Sequence, residues 1–78
     1  MKNGEALDRL RPGQRAEITR LDAPQAERTR LMALGFVPGA LVRALLESPW
    51  GDPVAYEICG AVIALRRADA RQIGIKEM

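Results

Sequence analysis

The chain has 78 residues, a formal net charge of +2, one cysteine and no histidine. That length allows a single domain over residues 1–78, and folding buries only about 60% of the surface the extended chain exposes. The lone Cys59 excludes a disulfide framework within one copy. Without imidazole the commonest general base, every Ser-His or Cys-His pairing and the usual zinc spacings are gone. An autonomous enzyme is not expected.

The opening MKNGEALDRL holds no apolar stretch of the kind a secretory signal carries. The longest apolar run, ICGAVIAL from Ile58 to Leu65, has eight residues, against roughly 20 for a spanning helix. A cytoplasmic protein with no membrane insertion is the expectation. Ten of the twelve cations are arginines, interleaved with ten acids, and the aromatic residues are Phe36, Trp50 and Tyr56. Nucleic-acid binders usually join a basic face to stacking aromatics, so nucleic acid is not an expected partner.

In chain order, Arg15 to Leu21 (RAEITRL) begins with alternation, Ala16 and Ile18 on one side and Arg15, Glu17 and Thr19 on the other, as a half-buried strand requires. Asp22 then offers an N-cap for a helix over Ala23–Leu34, with Pro24 in its first turn and Gly35 closing it. Leu31 and Leu34 share the inner face of that helix, with Arg28 and Arg30 outside. Ala40 to Glu47 (ALVRALLE) fits strand or helix; its place between Pro38-Gly39 and a proline-glycine loop favours a strand. Val54–Cys59 (VAYEIC) alternates, and Ala61–Arg66 (AVIALR) follows across Gly60, so the two form a tight hairpin. Arg67–Arg71 reads as one helical turn and Ile73–Lys76 as a closing strand. Leu10-Arg11-Pro12-Gly13 and Phe36-Val37-Pro38-Gly39 each place Pro-Gly just before a strand, which is type II turn chemistry rather than a tandem repeat. These elements predict a mainly β protein: a small SH3-like, partly open barrel of about five short strands, one helix inserted after the first and a helical turn before the last.

The segments LRPGQRAEI, RLMALGFVPGALVRALLESPWGDPVAYEI and IALRRADARQI resemble the FeoA family from about Leu7 to Ile75. LGFVPG, SPWGDP and ALRRADA, in this order and spacing, carry the resemblance. It implies an SH3-like barrel acting beside a membrane ferrous-iron transporter that carries a cytosolic GTP-binding domain. It also implies similarity to the C-terminal SH3-like domain of iron-dependent repressors. Neither role is catalytic.

Three surface candidates follow. In the Ser48–Pro53 loop, the favoured reading is a tight turn in which Trp50 folds back over the barrel mouth and covers the small core. The rival makes Pro49, Trp50 and Tyr56 an aromatic-proline patch like a peptide groove. Leu34–Gly39 reads as a helix stop and turn, in preference to exposing Phe36 or Val37 to a partner. Arg66, Arg67 and Arg71, with Asp69 among them, read as a solvated face with local ion pairs in preference to an acidic docking surface.

A metal site would want imidazole, thiolate or clustered carboxylates. Cys59 and Glu57 are weak candidates only, needing further ligands from water or a second copy, so an inert thiol is favoured. No cofactor is required; weak binding of iron or zinc is the only metal chemistry left open. The sequence therefore reads as a non-enzymatic accessory protein, monomeric or weakly dimeric, that docks on the transporter. The interface candidates are Pro49, Trp50, Tyr56, Arg66, Arg67 and Arg71. The alternative is a divalent-metal sensor or metallochaperone acting as a dimer; a nucleic-acid-binding barrel ranks below both.

Overall fold

Residues 5–78 are described by a computed structural model of the chain. A short 3-10 turn, Leu7–Arg9, precedes β1 (Arg15–Leu21), α1 (Gln25–Ala33), β2 (Leu41–Glu47), β3 (Val54–Ile58), β4 (Ala61–Leu65), α2 (Arg67–Ala70) and β5 (Ile73–Glu77). The strands form one antiparallel sheet in the order β4-β3-β2-β1-β5, so the ladder does not close and β4 and β5 are its edges.

Two irregularities bend this sheet around its core. The β1–β5 register shifts between Ile18 and Arg20, and the β2–β3 register shifts between Ala44 and Leu46. Each extra residue kinks its strand and strengthens the local twist, the usual device for curling a short sheet. The inner face carries Ile18, Val42, Ile58 and Tyr56, closed from the other side by Leu7, Leu31 and Phe36, all fully buried. Burying a side chain of this kind contributes about 1.5–3 kcal/mol, and no buried polar or charged residue offsets it among the described residues.

Both Pro-Gly turns take the form expected of them. Gln14 N–H donates to Arg11 O at 2.9 Å and Ala40 N–H to Val37 O at 3.0 Å. Gly13 and Gly39 adopt φ of 92° and 93°, the positive angle that position i+2 of a type II turn demands. Cys59 (φ 51°) and Gly60 (φ 80°) form the two-residue β3–β4 turn, so β3 stops at Ile58 rather than at Cys59.

The helix differs from its sequence expectation at both ends. It starts at Gln25, Pro24 occupies the N-cap position, and no side chain caps it. Asp22 is drawn elsewhere: its carboxylate accepts from Arg20 Nε at 2.7 Å and its backbone N–H donates to Gln72 O at 2.7 Å. Leu31 is the buried residue of α1, whereas Leu34, at the C-cap, remains 37% exposed. Gly35 terminates the helix at φ 111°, as expected.

Candidate functional site

The connection between β2 and β3 projects the most exposed large side chain. Gly51 N–H donates to Ser48 O at 2.8 Å, making Ser48–Gly51 a β-turn with Pro49 and Trp50 at its centre. Ser48 N–H donates to Pro53 O at 3.1 Å and closes the loop. A side chain at the tip of such a turn points away from both strands, and Trp50 is 89% exposed. This overturns the expectation that Trp50 folds back over the core. Leu7 and Leu10 from the N-terminal turn segment are buried in the core instead.

Tyr56 is corrected in the opposite sense. It lies on β3 with Val54 and Ile58, its ring fully buried and its hydroxyl donating to Leu7 O at 3.4 Å. Burial pushes the phenol up to about 12, because the phenolate would lose its hydration, although the nearby Arg67 guanidinium acts to lower it. The inward alternation of β3 takes Tyr56 out of any surface patch. Phe36 is likewise fully buried, in keeping with a structural role for LGFVPG.

Arg67 braces the Trp50 loop. Its Nε donates to Gly51 O at 2.6 Å, its Nη1 to Asp8 O at 2.8 Å, and its Nη2 lies 3.2 Å from Glu47 Oε2. Its backbone N–H adds a bond to Asp52 Oδ1 at 3.0 Å. One side chain thus ties together the loop, the N-terminal turn and the end of β2, and its planar fork suits three acceptors at once. The signal available in the sequence was only ALRRADA; nothing in it names Asp8, Glu47 and Gly51 as acceptors.

The remaining arginines fit a solvated face with local ion pairs. Arg71 Nε lies 3.6 Å from Asp8 Oδ2, Asp69 pairs with Arg30 of α1 at 3.3 Å, and Arg66 is exposed with no ion pair among the described residues. Beside the brace runs an open cleft of about 810 Å³. It is lined by the carboxylates of Glu5, Asp8, Glu47 and Glu77 and the guanidiniums of Arg9, Arg11 and Arg67. Four acids face three arginines there, and Arg67 is already engaged by Glu47 and by the Asp8 and Gly51 carbonyls, so the cleft presents no concentrated charge of either sign.

Cys59 and Glu57 line a second shallow groove, about 330 Å³, with Arg15, Leu41 and Arg43. Cys59 is exposed and its Sγ is directed at Gly35 O, 3.7 Å away, while Glu57 pairs with Arg43 at 3.4 Å. Two guanidiniums and an occupied carboxylate make this groove a poor host for a divalent cation. Among the described residues no three His, Cys, Asp or Glu side chains gather where they could hold a metal ion. No described helix is long and apolar enough to cross a membrane.

A curled five-stranded sheet with a braced aromatic loop at one end defines a small SH3-like β module. Trp50 is the most exposed of its large hydrophobic side chains among the described residues. The chain belongs to the FeoA domain family, whose model matches residues 6–77. A Fe(2+) transport protein A/Fe(2+) transporter FeoB fusion protein of Porphyromonas gingivalis is 34% identical over 70 residues, which cover 90% of this chain and 8% of that protein. The chain therefore spans only a small part of that relative. The FeoA protein of Chlorobium tepidum superposes with a TM-score of 0.88 at 38% identity, covering 95% of this chain and 70% of that one. The zinc-complexed FeoA of Stenotrophomonas maltophilia, described as a prokaryotic SH3 domain protein, gives 0.81 at 28% identity, covering 92% and 89%. A manganese-dependent transcriptional repressor shares the fold alone, with a TM-score of 0.87 at 19% identity over 100% of this chain and 38% of its own.

Proposed function

We propose that this chain is a non-enzymatic accessory component of bacterial ferrous-iron uptake that docks on the cytosolic side of a transporter carrying a GTP-binding domain. The observation that carries the reading is the Porphyromonas gingivalis relative, in which a segment like this one is fused to a ferrous-iron transporter. Joining two modules in one polypeptide holds them at high effective concentration. A free-standing copy would meet the same partner by surface docking, in the cytoplasm.

Trp50 is the proposed anchor. An indole that enters a partner pocket while its loop is already braced incurs little ordering cost, and such anchors typically carry 2 kcal/mol or more of binding. Pro49 beside it stiffens the turn, and the exposed Arg66 and Arg71 would act at the rim, tuning on-rate and salt dependence. Arg67 holds the platform from within and is engaged by its own chain.

The test is an NMR titration of the labelled protein with the transporter's cytosolic domain, with and without nucleotide. Shifts centred on Ser48–Pro53 support the reading, and Trp50→Ala should weaken binding about 30-fold, equivalent to about 2 kcal/mol. The same substitution should leave the unfolding midpoint unchanged, because the indole is almost wholly in solvent. A flat titration would refute docking on that domain, and full binding by Trp50→Ala would remove Trp50 from the interface. The rival reading, a dimeric divalent-metal module, draws on the zinc complex of the Stenotrophomonas relative. It requires stoichiometric metal retention that is lost on Cys59→Ser.

A further inference from the structure

The two edges of the sheet are treated differently. β5 carries Lys76 and Glu77, and its outer side is covered by the N-terminal segment: Ala6 bridges Gly74 and Ile75 N–H donates to Glu5 O at 2.9 Å. β4, the opposite edge, reads AVIAL, with no charge, no proline and no covering segment among the described residues. Edges left uncharged and uncovered are rare, because they template pairing with another chain.

The hairpin fixes which groups are open. Ala61 pairs with Ile58 across the two-residue turn, and alternation then directs the backbone of Ala61, Ile63 and Leu65 to β3. The N–H and C=O groups of Val62 and Ala64 face outward, and neither residue is bonded elsewhere among the described residues. Both side chains are exposed, Val62 at 65%.

We infer that β4 is a self-association edge and that its occupant is the β4 strand of a second copy, antiparallel. The charges flanking the strand select this occupant. Arg66 continues β4 in extended conformation (φ −71°, ψ 149°) and has no ion pair among the described residues. At the other end, Glu57 lies directly across from Val62 on the solvent-facing side of the sheet. An antiparallel pair brings the Arg66 end of each copy beside the turn end of its partner, so each Arg66 approaches a Glu57 whose half-exposed carboxylate holds Arg43 through Oε1 at 3.4 Å and keeps its second oxygen for the partner's guanidinium. An unrelated partner strand would have to bring its own carboxylate at that register, whereas a second copy supplies it twice by symmetry. Val62 of one copy and Ala64 of the other become cross-strand neighbours, and two uncharged strands meet without like-charge opposition. Trp50, on the β2–β3 loop, takes no part in this edge, whereas Arg66 is placed at both surfaces, so Val62→Lys is the substitution that separates the two readings.

Sedimentation velocity over a concentration series, with amide hydrogen exchange on the full chain, tests it. The monomer should give way to a dimer as concentration rises, and the Val62 and Ala64 amides should gain protection in step. Val62→Lys, which puts like charges at diagonal positions across the symmetric edge and a charge opposite Ala64 of the other copy, should weaken association at least about tenfold, and Arg66→Glu should also weaken it. Neither should lower the monomer's unfolding midpoint, and Val62→Lys, directly across from Glu57 within the same copy, can raise it slightly. A monomer throughout the millimolar range would overturn the inference. So would a dimer indifferent to Val62→Lys, or edge amides protected only when another protein is added.

Discussion

Replacing Arg67 by alanine is the most informative single perturbation of this fold. Truncation removes the bonds to Gly51 O (2.6 Å) and Asp8 O (2.8 Å) and the pairing with Glu47, while the backbone bond to Asp52 survives. Hydrogen bonds from a charged donor contribute about 1.5–3 kcal/mol each when sheltered, and an exposed ion pair up to about 1. The side chain is 30% exposed, so water can reach the freed carbonyls. We therefore expect a loss of about 2–4 kcal/mol. A domain this size has roughly 4–12 kcal/mol in total, so the midpoint of thermal unfolding should fall by roughly 10–25 °C. Circular dichroism melts and urea titrations read both values, and exchange of the Gly51 amide should accelerate beyond the global change. Arg67→Lys keeps the charge but cannot serve three acceptors in a plane, and should recover less than half of the loss. A loss below about 0.5 kcal/mol for alanine, or full stability with lysine, would refute the brace.

Three further outcomes follow from particular residues. The folded chain should keep the Tyr56 proton up to about pH 12, while the unfolded chain releases it near 10. Stability should hence be flat with respect to this group below pH 10, fall by about 1.4 kcal/mol per pH unit up to pH 12 and level off; the slope should vanish in Tyr56→Phe when followed by urea midpoints. Gly35→Ala should cost about 2 kcal/mol, since φ is 111° and the new Cβ would sit 3.3 Å from Cys59 Sγ, whereas Gly13→Ala, with open space around it, should cost less; equal losses would contradict the crowding. Cys59→Asn should stabilise the fold slightly, by up to about 1 kcal/mol, and so raise the melting midpoint, because Asn tolerates the left-handed conformation and Asn-Gly suits a two-residue hairpin turn; a marked drop would assign a role to the thiol's contact with Gly35.

The strands whose alternation runs uninterrupted were legible in the sequence. VAYEI reads inward at Val54, Tyr56 and Ile58, and all three are buried. ALVRALLE was ambiguous for an identifiable reason: the register shift after Ala44 inserts a residue, breaks the period of two and places Leu45 and Leu46 in succession. Asp22 looked like a helix cap because its competitor, Arg20, is visible only once β1 has placed both side chains on one side of the turn. At the candidate site, composition and turn residues located the loop but not the direction of its indole. That direction depends on which side chains complete the core, and Leu7 and Leu10, some forty residues earlier in the chain, are among those that do. Tyr56 erred the other way: grouping it with Trp50 by chemistry overrode the alternation that already placed it inside. The acceptors of Arg67 come from three separate stretches of chain, beyond the reach of any local pattern.

The N-terminal cover on β5 has a kinetic consequence. The β3–β4 hairpin closes across two residues and can form in about 1–10 μs, whereas β1 must find β5 across most of the chain, the largest loop-closure entropy of any pair in this sheet. The Glu5–Ala6 cover and the Asp8 bond to Arg67 both depend on that late closure. Until it occurs the nascent sheet offers two templating edges instead of one. Refolding yield should accordingly fall with protein concentration more steeply than native self-association alone would require, the loss being greatest when β1–β5 pairing is slowed.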